Sequence, residues 1–269
     1  MIKTVKISTI EDVLPLITEQ EYRPDLKRNR SLYLYRGMTD VSFTLFTSLA
    51  RNCKDAKKEL EPCILNNFTK YGALEDPLIE KSVWRQMILG QHHGLPTRLL
   101  DWSQSPLIAL HFANEEKNLD DMDKHDCVIW RIDIKELHAM LPGRYKKMLS
   151  DNQTSVFTVN MLNDVTSSLE QYDEDMQNRS MVVIEPPSID PRIVNQYSFF
   201  SIVPDAINDI EGYFDKYTNN TIKYVIDKDL RWRIRDMLDQ QNISERILYA
   251  GLDGLSRWLG RHYYVRSEE

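Results

Sequence analysis

The sequence predicts an α+β protein, in which one mixed or antiparallel sheet is surrounded by helices. Short runs of β-branched and aromatic residues recur along the chain, as at 127–132 and 222–226, and such runs are typical of buried strands. Segments with apolar residues at helical spacing lie between them. No repeat and no Gly/Ser-rich linker divides the 269 residues, so we expect a single domain.

The first hundred residues are predicted to be rich in helix. Weak alternation at 2–7 predicts a short strand, and Ser8 with Glu11 forms a capping box for a helix. The aromatic and aliphatic run at 32–35 stops at Gly37 and reads as a buried strand. Apolar residues at helical spacing predict further helices at about 57–71, 82–90 and 105–117. The last of these begins with Ser-Pro, which is a typical start of a helix.

The rest of the chain alternates strands with helices. Strands are predicted at about 127–132, 181–185, 197–203 and 222–226, and helices at about 228–240 and 252–262. Residues 135–180 are polar and predict a largely helical, exposed insertion. The domain is expected to span residues 31–265, preceded by a strand and helix extension at 1–30.

Composition excludes several classes of protein. A chain that is 42% hydrophobic and 28% charged has the composition of a globular domain. Its net charge of −7 argues against broad non-specific binding to nucleic acid, although a local basic groove remains open. No apolar run approaches the roughly 20 residues of a membrane span. The three cysteines lack C-x-x-C spacing, and no signal peptide is evident. We therefore expect a cytoplasmic protein with no membrane partner.

Tyr35-Arg36-Gly37 is the first candidate for a functional motif. An arginine at the end of a buried strand projects a guanidinium from a rigid support, and its planar fork suits a phosphate or a carboxylate. Gly37 would let the backbone turn or let a ligand approach closely. The alternative is an ordinary surface arginine at a turn.

The densest polar cluster lies at 91–105, in a segment predicted to be a turn that feeds a helix. Buried polar groups need partners, so these side chains either satisfy one another or bind a ligand. Arg98 and Asp101 stand three residues apart, a spacing that lets them meet in a helical turn. We therefore predict a buried ion pair between them. The other polar candidates of the cluster are Thr97, Ser103 and Ser105, with Trp102 as an aromatic wall.

Metal and hydrolase chemistry have weaker support in the same segment. His92 and His93 are adjacent, so they point in opposite directions in an extended chain, and H-x-x-x-H spacing is absent. A nuclease that uses both histidines and Asp101 stays an alternative that metal dependence would reveal. No G-x-S-x-G elbow supports a serine hydrolase. We expect no bound metal.

Two later clusters read first as structure. Arg192 and Gln196 lead into the strand predicted at 197–203, as a helical turn that caps it. The segment 252–257 reads as the start of a helix with Asp253 as its cap. Arginines at 231–235 are typical of a solvated helix face with snorkelling stems.

These motifs together resemble the FRG-domain family, which is named for an aromatic-Arg-Gly motif. The longest match is Gln91-His-His-Gly-Leu-Pro-Thr-Arg-Leu-Leu-Asp101-Trp, followed by Ser105-Pro-Leu and Ala109-Leu-x-Phe-Ala113. The Arg192–Phe200 and Leu252–Leu255 segments are similar to later family motifs, although Tyr197-Ser198 replaces the usual glycine. The resemblance spans roughly residues 30–260 and implies a bacterial or phage protein.

The arrangement also resembles the ADP-ribosyltransferase layout. That resemblance implies that Arg36 grips the phosphates of NAD and that Ser103 and Ser105 support the nicotinamide pocket. A glutamate on a later strand would position the ribose and the acceptor. Gln196 stands near that position, and Glu185 is the nearby carboxylate on a strand.

The resemblance therefore implies an NAD-dependent ADP-ribosyltransferase or NAD glycohydrolase acting in bacterial defence or phage conflict, with NAD as substrate and DNA, RNA or protein as acceptor. The cofactor-binding set would be Tyr35, Arg36, Gly37, Thr97, Arg98, Asp101, Trp102, Ser103 and Ser105, and the catalytic set Arg36, Gln196 and Glu185. A non-catalytic module that recognises nucleic acid or a phage component is the alternative. If the site exists, six side chains should converge on one cleft, namely those of Arg36, Thr97, Arg98, Asp101, Ser105 and Gln196.

Overall fold

The computed structural model describes residues 1–266 and is built around one seven-stranded sheet. The strands of this sheet are β1 (Lys3–Ile7), β4 (Tyr33–Met38), β5 (Leu99–Ser103), β6 (Cys127–Asp133), β7 (Val182–Ile184), β8 (Ser198–Ile202) and β9 (Ile222–Ile226). A separate antiparallel pair consists of β2 (Tyr22–Arg23) and β3 (Arg28–Asn29). The order in the large sheet is β1-β9-β6-β4-β5-β8-β7, and every neighbouring pair is antiparallel except β1 with β9. This mixed sheet confirms the predicted α+β class.

Helices surround the sheet. They are α1 (Val13–Thr18), α2 (Ser48–Cys53), α3 (Lys57–Gly72), α4 (Val83–His92), α5 (Pro106–Ala113), α6 (Ile134–Ala139), α7 (Gly143–Asp151), α8 (Val159–Val165), α9 (Leu169–Met176), α10 (Pro191–Asn195), α11 (Ile210–Tyr217), α12 (Arg231–Gln240), α13 (Glu245–Leu248) and α14 (Gly251–His262).

Two predicted helix boundaries are wrong. The capping box at Ser8 does not form, because Asp12 accepts hydrogen bonds from the backbone N–H groups of Ser8 and Thr9 and holds a turn before α1. The helix that begins after Ser105 ends at Ala113, four residues before the predicted end.

The pattern of apolar and polar residues did not predict strand β5. Residues 99–103 were predicted to lie in a turn, but they form a central strand between β4 and β8. Leu99, Leu100 and Trp102 are all buried, because helices cover both faces of the sheet at this position. A strand that is buried on both faces lacks the apolar alternation that marks a strand in a sequence.

The segment 135–180 is helical as predicted, but its predicted exposure is wrong. Tyr145, Phe157, Leu162 and Tyr172 are each fully buried in the core cluster that covers β7 and β8. Each of the helices α7, α8 and α9 buries two or three apolar residues, and most of the polar residues of the segment lie outside. Because most residues of the segment are polar, its composition did not show that these helices pack against the sheet as part of the core.

Buried His138 on α6 ties this segment to the sheet. Its Nε2 accepts a hydrogen bond from the backbone N–H of Val183 at 2.9 Å, and its Nδ1 lies 2.8 Å from the carbonyl oxygen of Ser155. Nδ1 therefore carries the proton. Burial lowers the pKa of His138 to about 4, so the ring stays neutral at pH 7.

The first thirty residues belong to the sheet and its core. β1 pairs with β9 at five positions and forms one edge of the large sheet. Ile7, Val13 and Leu16 are buried in the cluster that also contains residues of α5 and α12.

Gly37 is required by the packing of α5 on β4. A Cβ atom at this position would lie 2.0 Å from the carbonyl oxygen of Ala109 and 2.5 Å from the amide nitrogen of Ala113. Both neighbours are helix backbone and cannot rotate away. The glycine therefore allows close approach of a helix to the strand. The backbone turn that was one of the two alternatives for this glycine does not occur, because β4 continues to Met38.

Replacing Gly37 with alanine is therefore expected to destabilise the protein by roughly 1–3 kcal/mol, the usual cost of overpacking. Chemical denaturation would measure this free energy of unfolding. Gly260→Ala is the matched control, because the same Cβ atom on that α14 glycine meets no atom within 4 Å. Equal stability of the two variants would show that α5 is not held so closely against β4.

Candidate functional site

A large cavity opens where β4 and β5 separate. The two strands pair at one position, Tyr35 opposite Ser103, and diverge beyond it. The resulting cleft has a volume of about 910 Å³ and is lined by residues from both strands, from the loop between β4 and α2, and from α4, α5 and α10. Central strands that part in this way present a concave, rigidly framed site, which is where ligands usually bind.

Arg36 projects into this opening from β4. Its Nη1 donates a hydrogen bond to the backbone carbonyl oxygen of Asp101 at 2.8 Å and lies 3.5 Å from the Asp101 carboxylate. The guanidinium thus bridges the two diverging strands. Its Nε is buried without a hydrogen-bond partner among the described residues. Because the carboxylate contact is long and the side chain is only partly buried, Arg36 retains donors for an anionic ligand.

The Asp101 carboxylate is oriented by a short chain of side chains. Gln91 donates from Nε2 to Asp101 Oδ2 at 2.8 Å, and its Oε1 accepts from the hydroxyl of Thr97 at 2.6 Å. Thr97 is fully buried behind Gln91 and does not line the cleft. It therefore supports the site from beneath, while Asp101 itself is half exposed.

The predicted ion pair between Arg98 and Asp101 is wrong. Arg98 directly precedes β5, and Asp101 lies within it. In an extended chain, side chains three residues apart project to opposite faces, so these two side chains contact different partners. Arg98 is buried beside Glu61 of α3, where its Nε lies 2.8 Å from Glu61 Oε1, and its Nη1 lies 2.7 Å from Asp173 of α9. Arg98 therefore lies outside the cleft and holds α3 and α9 to the sheet.

Ser103 and Gln196 meet at the closed end of the cleft. The Ser103 hydroxyl donates to the backbone carbonyl oxygen of Gln196 at 2.7 Å and accepts from the backbone N–H of Ser105 at 3.1 Å. Gln196 is held from the other side by a hydrogen bond from its Nε2 to the carbonyl oxygen of Leu248. Ser105 faces a separate, smaller cavity. The predicted pair of serines is thus divided between two cavities.

Two predicted roles need correction. Glu185 is exposed just beyond β7, which is two strands away from β5, and it does not line the cleft. Trp102 does line it but is almost wholly buried, with its indole N–H donating to the hydroxyl of Ser201 at 2.9 Å. It therefore forms part of the floor and offers little free surface for stacking.

Arginines that the sequence analysis did not assign to the site add positive charge to the cleft. Among the described lining residues are three arginines, Arg36, Arg51 and Arg192, against the single carboxylate of Asp101. Arg192 lies over the ring of Tyr249, with 5.8 Å from its Cζ to the ring centre. Arg192, which the sequence analysis places in a turn that caps a strand, therefore faces the cavity. With three arginines and one carboxylate, the cleft favours an anionic ligand.

Tyr249 is anchored by a buried polar network behind the cleft wall. Its hydroxyl donates to Glu115, whose pKa is raised by burial. His111, one helical turn earlier on α5, has its Nε2 3.8 Å from the same carboxylate, and its Nδ1 lies 2.7 Å from Nη1 of Arg235. Because a guanidinium can only donate, Nδ1 of His111 is the acceptor and the ring is neutral. Burial and the Arg235 charge lower the pKa of His111 to about 3.

The arginines at 231–235 differ from the predicted solvated face. Arg231 and Arg235 are completely buried, and only Arg233 between them is exposed. Arg231 donates to the carbonyl oxygen of Ala113 at the end of α5, and Arg235 to the carbonyl oxygen of Ile243. The helical i,i+4 spacing of the two arginines was the signal that could have placed them on one buried face.

Two kinds of feature are absent from the described residues, 1–266. They contain no group of three His, Cys, Asp or Glu side chains that could hold a metal ion. Their helices are all too short or too polar to cross a membrane.

Comparison with known protein families gave a match over part of the chain. The model of the FRG domain matches residues 31–122, which include the Tyr35-Arg36-Gly37 motif and the whole 91–113 segment. The later segments at 192–200 and 252–255 lie outside the matched region, so the match is narrower than the predicted span of 30–260. Comparison with curated proteins and with solved structures gave no match. The matched region, residues 31–122, is therefore an FRG domain.

Proposed function

We propose that this chain is an NAD-dependent enzyme that binds NAD in the cleft between β4 and β5 and breaks its nicotinamide–ribose bond, as an ADP-ribosyltransferase or an NAD glycohydrolase. The observation that carries the proposal is the placement of Arg36, Ser103 and Gln196 around the point where β4 and β5 part. These residues belong to, or directly precede, the neighbouring strands β4, β5 and β8. This is the set of elements that the resemblance to ADP-ribosyltransferases requires.

The electrostatics of the cleft support a dinucleotide. A diphosphate carries two negative charges, and Arg36 and Arg192 both face the cavity. A guanidinium can bind two phosphate oxygens at once, which makes arginine well suited to this ligand. Phe112 and Tyr249 contribute aromatic surface to the same walls. Planar rings such as nicotinamide and adenine pack well against surfaces of this kind.

The bond-breaking step needs little from the protein besides charge and orientation. The electron pair of the C1′–N bond moves to the nicotinamide nitrogen, which removes its positive charge, and the ribose is left as an oxocarbenium ion. A hydroxyl or amine of the acceptor, or water, then attacks C1′ and loses its proton to a base. A fixed negative charge beside the sugar stabilises this transition state.

Asp101 is the lining carboxylate available for that role. Gln91 holds it in place, and half of its surface is open to the cleft. In this proposal Asp101 replaces Glu185 as the stabilising anion and proton acceptor, and Gln196 orients a ribose hydroxyl. In this proposal Arg36 binds the phosphates, Asp101 supplies the negative charge beside the sugar, and Ser103 forms the polar end wall of the cleft.

Release of nicotinamide from NAD is the test of this function. The protein would be incubated with NAD alone and with DNA, RNA or a protein mixture, and nicotinamide would be quantified by chromatography. We expect release by the wild type and a loss of about a hundredfold or more in Asp101→Asn, which keeps the shape but not the charge. Asp151→Asn, at an exposed position outside the cleft lining, is the control. Absence of release with every acceptor, without any NAD-induced rise in melting temperature, would favour the non-catalytic binding module.

A further inference from the structure

A second cavity extends the cleft along α2. It has a volume of about 640 Å³ and shares Phe46 and Arg51 with the first cavity, so the two are continuous at these side chains. The surface at this junction, formed by Phe43, Phe46, Arg51 and Lys54, is called the α2 surface below. It combines exposed aromatic rings with positive charge.

The two phenylalanines are held in exposed positions by their loop. Phe43 is 52% exposed and Phe46 is 37% exposed. The backbone on either side of Phe43 is fixed, because the N–H of Val41 donates to Asp126 and that of Leu45 to Glu211. An anchored loop cannot turn these rings into the core. Two large apolar side chains left exposed at the mouth of a cleft indicate a binding surface.

The positive charge is concentrated in one short segment. Residues 51–58 read Arg-Asn-Cys-Lys-Asp-Ala-Lys-Lys, with four basic residues and one acidic residue in a chain whose net charge is −7. Lys57 is paired with Asp205 at 3.1 Å. Within the described part of the chain, Arg51, Lys54 and Lys58 have no carboxylate within 4 Å, and all three are exposed. These charges are free to meet a polyanion.

We infer that the α2 surface binds single-stranded nucleic acid and delivers an unpaired nucleotide to the cleft as the acceptor of ADP-ribose. The basic side chains match a phosphate backbone, and the exposed rings match unpaired bases, the combination that recognises single strands. A duplex would offer phosphates but would keep its bases stacked away from Phe43 and Phe46. An acidic peptide would match the charges but not the rings. The acceptor role rests on the proposed function, whereas the binding does not.

Binding would be measured by fluorescence anisotropy with a short labelled single-stranded DNA, and in parallel with the same sequence as a duplex, without NAD. We expect the single strand to bind more tightly. Arg51→Glu/Lys54→Glu should weaken its binding about tenfold or more and flatten the salt dependence. Phe43→Ala/Phe46→Ala should weaken it about tenfold with an unchanged salt slope. Lys146→Glu/Lys147→Glu, a charge reversal at two exposed positions of α7, is the matched control and should bind like wild type.

Three outcomes would overturn the inference: no binding by the wild type, equal binding of duplex and single strand, or wild-type affinity in the phenylalanine variant. Failure of the proposed function has a different signature. In that case the oligonucleotide still binds through the α2 surface, while no nicotinamide is released and no labelled ADP-ribose is transferred to it. Nicotinamide release without oligonucleotide binding would instead remove this inference and leave the NAD chemistry standing.

Discussion

Glu61→Gln is expected to lower the free energy of unfolding by about 3–5 kcal/mol, the usual result of removing one partner from a buried ion pair. Glu61 is 2% exposed and Arg98 is 5% exposed, so water cannot replace the lost carboxylate. Two donor nitrogens of Arg98, Nε and Nη2, face the Glu61 carboxylate, and only Asp173 would remain to balance the charge. The pair joins α3 to the sheet next to β5, so its loss should weaken the whole domain.

Urea denaturation would measure the change, with Asp101→Asn as the comparison. Asp101 is half exposed, and its contact with Arg36 is long, so its neutralisation should alter stability by less than about 1 kcal/mol. This ranking reverses the one that a buried pair between Arg98 and Asp101 would produce. If Asp101→Asn proved the more destabilising substitution, the assignment of Arg98 to Glu61 would be wrong.

Arg36→Lys is expected to keep the fold but weaken NAD binding by about 2–4 kcal/mol, that is, by roughly thirtyfold to a thousandfold. A lysine presents a compact point charge and cannot reproduce the two directed hydrogen bonds of a guanidinium. It would also lose the bridge to the carbonyl oxygen of Asp101 that spans the two diverging strands. Arg36→Ala should bind no better than the lysine variant.

Isothermal titration with NAD, nicotinamide release and melting temperatures would be compared among the wild type and these variants. Arg28→Lys is the matched control, because Arg28 is exposed on β3, away from the cleft lining. Full activity of Arg36→Lys would mean that the guanidinium serves only as a strand-end surface group. The NAD proposal would then lose its phosphate clamp, and the binding-module alternative would take precedence.

Predictions from the sequence succeeded where the signal was local. The buried strands β4, β6 and β9 follow from their β-branched and aromatic runs, and α3 and α4 from apolar residues at helical spacing. The same reasoning did not predict strand β5, because a strand that is buried on both faces lacks the alternation of apolar and polar residues. The helices of 135–180 were found, but their depth was not, because burial depends on what packs against an element.

The candidate site divides in the same way. The motif at 35–37 and the polar cluster at 91–105 were recognisable as chemical groups before their positions were known. Arg36, Asp101, Ser103 and Gln196 do line one cleft, whereas Arg98, Ser105 and Glu185 do not. The spacing in the sequence predicted that Arg98 pairs with Asp101. It could not predict the actual partner Glu61, which lies 37 residues earlier in the chain on another helix.

The sequence by itself determined the class of fold, most of the elements, the family motifs and the type of chemistry that their side chains suit. Local periodicity, capping signals and residue identity carry that information along the chain. Only the tertiary structure decided which groups share a cavity, which charges are buried in pairs, and that Arg192 and Tyr249 belong to the cleft wall. The reason is that strand order and helix packing bring together residues distant in sequence, and these contacts leave no periodic trace in the sequence.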